Sequence, residues 1–249
     1  MHKMQRILRS VSLVSLLLLV VRPASAQGID LRWGECPQDG GVRNLAFACN
    51  TNTGLRGLTT SFQLPVAVSA NSVTGVIDVI AADVTLPEWW NYRFCRSGSI
   101  TVDSQAAGAT VCNDFMGACF SDGDFTAILP GVPSANGERL EFTRLRCPTG
   151  SPAILLVSGV EYLGPVLSIN FTRTLGSPSC AGCATPVCLI LTQLHVGPAS
   201  GGVTLTNPAF PPDGNVVTWQ GGGLSPGGAC QAATPTRRAL WGSVKALYR

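Results

Sequence analysis

The sequence predicts an all-β fold: a disulfide-stapled β-sandwich, in one or two lobes, followed by a short C-terminal helical tail. Three observations predict it. Short runs rich in Val, Ile, Thr and Phe recur between Gly-, Pro- and Asn-containing turns, which is the composition of strands and not of long helices. No stretch before residue 233 keeps a helical period with caps at its ends. The chain carries ten cysteines, an even number that suits a disulfide framework in an exported protein.

Export is expected from the first 26 residues. Lys3, Arg6 and Arg9 make a positive start, residues 12–21 are almost wholly apolar, and Ala24-Ser25-Ala26 is a small-x-small cleavage site before Gln27. The apolar run is shorter than the roughly 20 residues a membrane span needs. No cysteine follows the cleavage site directly, which favours a freely secreted, periplasmic or surface-held product over a lipid-anchored one. The leader removes four of the 17 Lys and Arg and none of the 14 Asp and Glu. The remaining 223 residues are therefore almost neutral, and their only lysine is Lys245. Attraction to nucleic acid or an anionic membrane through bulk charge is excluded on that basis.

The strands are expected in this order: 59–68, 73–82 (VTGVIDVIAA), 99–103, 125–129, 139–146 (RLEFTRLR), 166–173, 187–196, 202–206 and 215–220. In 139–146 the alternation places Leu140, Phe142 and the stem of Arg144 on one face. Asn136-Gly137 and Asp213-Gly214 are turn dipeptides, the second marking a hairpin between the last two strands. The sandwich region is 27–232, with a candidate sub-boundary at 147–152. Residues 153–171 form the longest apolar stretch after the leader, interrupted by Glu161, Gly159, Gly164 and Pro165.

Sequence proximity suggests bridges Cys36–Cys49, Cys95–Cys112 and Cys119–Cys147. Cys180, Cys183, Cys188 and Cys230 would then pair among themselves. Cys180-Ala-Gly-Cys183 also has the spacing of a thiol oxidoreductase, but no βαβ pattern surrounds it. Four thiolates for zinc would need a second paired spacing, which is absent. No metal or cofactor is expected.

Residues 221–235 (GGGLSPGGACQAATP) read as a linker, and 233–249 complete it and form an amphipathic tail. Leu240, Val244 and Leu247 have helical spacing, Trp241 and Tyr248 flank them, and the tail is basic. It suits docking to a cell-surface or export partner, or to the sandwich itself. The stretch from Cys180 to Cys188 (CAGCATPVC), Val217-Thr-Trp219-Gln-Gly-Gly and the terminal TPTRRALWGSVKALYR resemble features of uncharacterised exported bacterial β-rich proteins. The resemblance covers mainly the last 70 residues and, more loosely, 86–90. It implies export and a shared tail, and no chemistry.

Few catalytic constellations are available. His195 is the one histidine after the leader, and no G-x-S-x-G accompanies it. Glu35, Glu88, Glu138, Glu141 and Glu161 stand beside nine Asp with no spacing that selects a hydrolytic pair. Asp114 with 121–124 (SDGD) lacks the full calcium-loop pattern. The densest aromatic cluster is Trp89-Trp90-Asn-Tyr92-Arg93-Phe94; a two-residue alternation would turn some of its rings inward, so core and edge packing is the expected role, and rings left exposed could stack on sugars. The expected function is a secreted or cell-surface structural or binding protein without catalytic activity. The alternatives are carbohydrate binding through Trp89, Trp90, Tyr92 and Arg93, and an exported thiol oxidoreductase or carboxylate hydrolase.

Overall fold

In a computed structural model, the structure describes residues 27–81, 85–103, 112–115, 124–128, 137–145, 152–198, 201–206 and 214–221. The expected leader, the linker, and the tail residues Leu240, Trp241, Val244, Leu247 and Tyr248 lie outside them. Within the described residues the strands are β1 (Gly28–Trp33), β2 (Asn44–Leu45), β3 (Leu55–Gln63), β4 (Val68–Ala70), β5 (Ser72–Ala81), β6 (Ile100–Asp103), β7 (Asp124–Ile128), β8 (Gly137–Leu145), β9 (Ile154–Leu156), β10 (Glu161–Asn170), β11 (Val187–Val196), β12 (Val203–Leu205) and β13 (Val216–Trp219). The fold is all-β, as composition and alternation predict. Among the described residues, no helix is long and apolar enough to cross a membrane.

Two sheets make the sandwich. One has the order β1-β3-β10-β6 and the other β2-β13-β11-β5-β8-β7, while β4 and β9 form a small ribbon. Strands from before and after residues 147–152 are interleaved in both larger sheets. Alternating side chains of the two sheets meet in one core that includes Ile29, Leu31, Leu58, Phe62, Ile77, Leu140, Phe142, Leu167, Leu189 and Leu191. The expected face of β8 is found: Leu140, Phe142 and Arg144 are all buried. Gly75 on β5 lies opposite Phe142, whose ring would sit 2.2 Å from any Cβ added there. A side chain at this point would collide with the ring, so the glycine is a packing requirement.

Four strands escaped the sequence reading. β1 alternates Ile29, Leu31 and Trp33, but Asp30 and Arg32 between them look like a solvated face and are in fact buried. β2, β4 and β9 have two, three and three residues, too few for a period. β10 corrects another expectation. Gly164 and Pro165 do not end the strand; they sit at a register shift between Leu163 and Val166, where a bulge removes the need for a proline N–H. Thr60 Oγ1 donates to Pro165 O at 2.7 Å and occupies the space a Cβ on Gly164 would need.

The expected β12–β13 hairpin is also absent. β12 pairs with Leu194–Val196 of β11 and β13 with residues 187–190, both antiparallel to β11. β5 occupies the whole opposite side of β11. β12 and β13 therefore run in the same direction along one lane, with Asn215 exchanging backbone and side-chain bonds with Leu191 between them.

Candidate functional site: the disulfide-tied loop pole

Strand register brings several connections to one end of the sandwich. Leu55 pairs with Asn170 and Ile100 with Ile169 in one sheet. Val187 pairs with Ala81 and Trp219, and Trp219 with Leu45, in the other. The connections 46–54, 85–99 and 171–186 thus meet at this pole. Cys49–Cys183 ties the first to the third, and Cys95–Cys180 ties the second to the third.

Hydrogen bonds reinforce the bridges. The Asn52 side chain donates to Leu175 O at 3.0 Å and accepts from Leu175 N at 2.8 Å. Gln220 makes the same reciprocal pair with the Phe47 backbone. Trp89 N donates to Ala181 O, and Arg173 Nη1 donates to Cys95 O at 2.7 Å. Arg96, 1 % exposed, is the central clamp. It donates to Trp89 O at 3.0 Å and to Asn170 O, and its guanidinium lies 3.6 Å from the Trp89 ring centroid. Burial lowers its pKa from the usual arginine value, while the Tyr92 hydroxyl acts in the opposite direction.

The aromatic cluster serves mainly as core, as expected, and leaves Phe94 exposed. Trp89 and Trp90 are buried in the core, and Tyr92 is nearly so. A tight 3-10 turn at Glu88–Trp90 replaces the expected two-residue alternation and sends both indoles inward. They pack on Trp219, which also touches Trp33, Phe47 and Phe171. No sugar ring can stack on faces so covered. What the pole exposes is Phe94 (72 %), Leu55 (54 %) and Leu175 (43 %), together with Arg56, Arg93 and Arg173. At the opposite end Val66, Leu155 and Val157 are exposed, beside a shallow depression of 230 Å³ lined by Gln27, Gly28, Pro65 and residues 203–206.

The cysteine pairing differs from every short-range expectation that the described residues test. Cys36 pairs with Cys112, Cys49 with Cys183 and Cys95 with Cys180, at sequence separations of 76, 134 and 85. A sandwich returns distant connections to one pole, so spatial neighbours are not sequence neighbours. Cys180 and Cys183 do not pair with each other, so the CxxC spacing is not a redox dithiol here. Cys188 is also disulfide-bonded, which leaves no thiolates on 180, 183 and 188 for zinc. Cys119, Cys147 and Cys230 lie outside the described residues. The close group Cys36, Asp39 and Cys112 contains a bridged pair and offers a single carboxylate.

Four of the remaining candidates, His195, Asp78, Asp114 and Glu161, are held in structural bonds. His195 Nδ1 and Nε2 lie 3.1 and 3.2 Å from Thr204 Oγ1 and Pro198 O. Arg139 binds Asp78 through two nitrogens at 2.7 and 3.0 Å, and Arg144 lies 3.4 Å from Asp114. Glu161 accepts from Ser61 at 2.7 Å and from Gln38 at 3.1 Å.

Asp30 is the exception. It is 6 % exposed, and burial pushes its pKa from 3.8 up to about 6. Arg32 at 3.3 Å and Arg43 oppose the rise, and Glu161 adds to it. Between these two values the folded state holds the extra proton, so stability falls as pH rises from about 4 to about 6. The penalty is complete above that window and absent below it. Its ceiling is about 3 kcal/mol. Asp30→Asn should therefore gain about 1–3 kcal/mol on wild type between pH 4 and pH 7.5. Urea denaturation of both proteins at the two pH values reads this. A difference independent of pH would show that Asp30 does not hold the proton.

No protein-family model matches the chain, and no curated protein does. Among solved structures it is similar to the cohesin module from a Clostridium perfringens family 33 glycoside hydrolase. That match has 10 % identity over 78 % of this chain and 94 % of the module, with a TM-score of 0.32. A likeness at that level carries no argument about function.

Proposed function

We propose that the protein is an exported, non-catalytic binding protein that meets its partner through the disulfide-tied pole. The observation that carries the reading is the convergence of Cys49–Cys183 and Cys95–Cys180 on adjacent connections that expose Phe94, Leu55 and Leu175. Loops held by a rigid scaffold are where β-sandwiches carry recognition. Pre-ordered loops lose little conformational freedom on association, and exposed aromatic and Arg side chains are the residue types that supply binding energy. Disulfide bonding between distant segments is also what an oxidising, extracytoplasmic compartment permits.

The test replaces Phe94 with the photo-crosslinker benzoylphenylalanine in the full chain, expressed in the organism that exports it. A matched protein carries the same group at Val66, at the opposite end. Irradiation should give a discrete adduct from position 94 and none from 66. Adducts from 66 alone, or from neither position, would sink the reading.

A further inference from the structure

The outward face of the second sheet is buried where a sandwich would leave it wet. On β5 the outward residues Ser72, Thr74 and Val76 are half-buried, but Asp78 and Ile80 are buried. On β11 the outward Thr192 is half-buried, but Cys188 and Ile190 are buried. Ile80, Cys188 and Ile190 form an apolar cluster of their own, with Val216 of β13 against it, apart from the core between the sheets. The half of this face nearest the loop pole is therefore covered. Cys188 is also disulfide-bonded, and the six cysteines Cys36, Cys49, Cys95, Cys112, Cys180 and Cys183 bond one another. We infer that this face is the docking surface for the chain's own segment around Cys230, fastened there by a Cys188–Cys230 bond.

Reach decides among the three cysteines left, Cys119, Cys147 and Cys230. A disulfide needs Cα atoms within about 7 Å of each other. Cys188 lies opposite Ile80, whereas Cys147 is two residues beyond Leu145, which lies opposite Ser72. Strand rise and spacing put Leu145 roughly 28 Å from Cys188, and two residues recover at most about 7 Å of that. Cys119 is held between Phe115 and Asp124. Phe115 packs on Phe62 and Tyr162, and Asp124 is level with Thr74 through Thr143, so both lie toward the far end of the sandwich. A path from Phe115 to bonding range of Cys188 and back to Asp124 needs about 35 Å even in straight lines, and nine extended residues span about 31 Å.

Cys230 meets no such limit. Thr218 is paired directly with Cys188, and the chain leaves β13 at Trp219 beside it. The twelve residues from Thr218 to Cys230 can span up to about 40 Å, several times what the bond requires. The segment's composition also suits the surface: Gly227, Gly228 and Ala229 permit close approach to the isoleucines, and Leu224 adds apolar area. Cys119 and Cys147 are left to each other, near Asp124 and Leu145 at one end of β8. Closing the Cys188–Cys230 bond removes two protons and two electrons from two thiols, and an oxidised dithiol carrier of the export compartment takes them and is reduced. The linker is thus strapped to the wall of the sandwich, and the amphipathic tail starts from that wall six residues past the anchor. This docking is independent of any partner at the loop pole.

The test digests the full protein, alkylated without reduction, with trypsin and a protease that cuts before Asp. Residues 213–237, which hold Cys230, should stay joined to 174–212, which hold Cys188, and 147–173 should stay joined to 114–121. Cys188→Ala should carry a single free thiol, located in 213–237. In wild type the amides of 227–232 should exchange about tenfold more slowly than free chain, and Cys188→Ala with Cys230→Ala should abolish most of that protection while β3 and β10 keep theirs. The wild-type peptide map decides the pairing even if a variant fails to fold. A link from 174–212 to 114–121 or 147–173 in place of 213–237, or a free thiol outside 213–237, would overturn the inference. Amides of 227–232 that exchange like free chain in wild type would overturn it too, and would give the face to another occupant.

Discussion

Trp219→Ala is expected to lower the stability of the protein by about 3–5 kcal/mol, the range for deleting a fully buried indole. Trp219 ends β13 and is the hub of the aromatic core. Its ring centroid lies 5.1 Å from Trp89, 5.5 Å from Trp90 and Phe47, and 5.8 Å from Trp33. Four bulky rings cannot collapse into the space it leaves, because each is fixed by its own strand or turn. Its Nε1 also donates to Cys183 O at 2.7 Å, so removal leaves that carbonyl only the longer bond from Gln220 Nε2 at 3.4 Å. Trp219→Phe should cost less, because most contact area survives and only the hydrogen bond and part of the ring are lost. Urea denaturation followed by far-UV circular dichroism separates the two. Equal losses for Ala and Phe would assign the effect to the hydrogen bond and not to packing.

The double substitution Cys49→Ser with Cys183→Ser should cost about 2–5 kcal/mol. The bridge joins residues 134 apart, and in the chain-entropy account a loop of that size carries a large share of unfolded-state freedom. For a chain of this size the melting temperature should fall by roughly 5–15 °C. The loss should not disorder the pole completely. The Asn52–Leu175 and Gln220–Phe47 pairs, and the Cys95–Cys180 bridge, still hold the same connections. Insulin-reduction turnover should stay at background in both wild type and variant, because Cys180 and Cys183 serve different bridges. A shift below about 1 °C would show that the hydrogen bonds alone define the pole. Turnover above a dithiol control would restore the redox reading of the CxxC.

The two predictions rest on features of unequal visibility in the sequence. β11 is found at 187–196 as its Val-, Leu- and Ile-rich run predicts, and β5 within one residue of its expected ends. Both are central strands buried on at least one face, where hydrophobic pattern and structure are tightly coupled. β1 was hidden because its charged residues are buried. Arg32 donates to Leu31 O and Gly214 O, contacts that no periodicity announces. The Trp89–Phe94 cluster was legible as packing, but not the single 3-10 turn that sends both neighbouring indoles to the same side. The cysteine pairing was the least legible of all. It is a property of which connections share a pole, and that follows only from the order of strands in the sheets. The exposed apolar and Arg residues of the candidate surface have no pattern of their own; Leu55, Phe94 and Leu175 come from three separate segments.

The shared lane of β12 and β13 has an engineering consequence. The chain leaves the lane after Leu205 and rejoins it at Asn215, and both ends are fastened independently. Leu205 is registered on Leu194, Asn215 is bonded to Leu191, and Gly214 O accepts from Leu31 N and Arg32. The phase of each half is therefore set by its own partners on β11 and not by the length of chain between them. Lengthening that interval adds little beyond loop-closure entropy, about 0.6 kcal/mol for each doubling. Residues 207–213 are thus the natural splice point for inserting an epitope or a reporter peptide. Such an insertion would leave the registers of β12 and β13 on β11 intact.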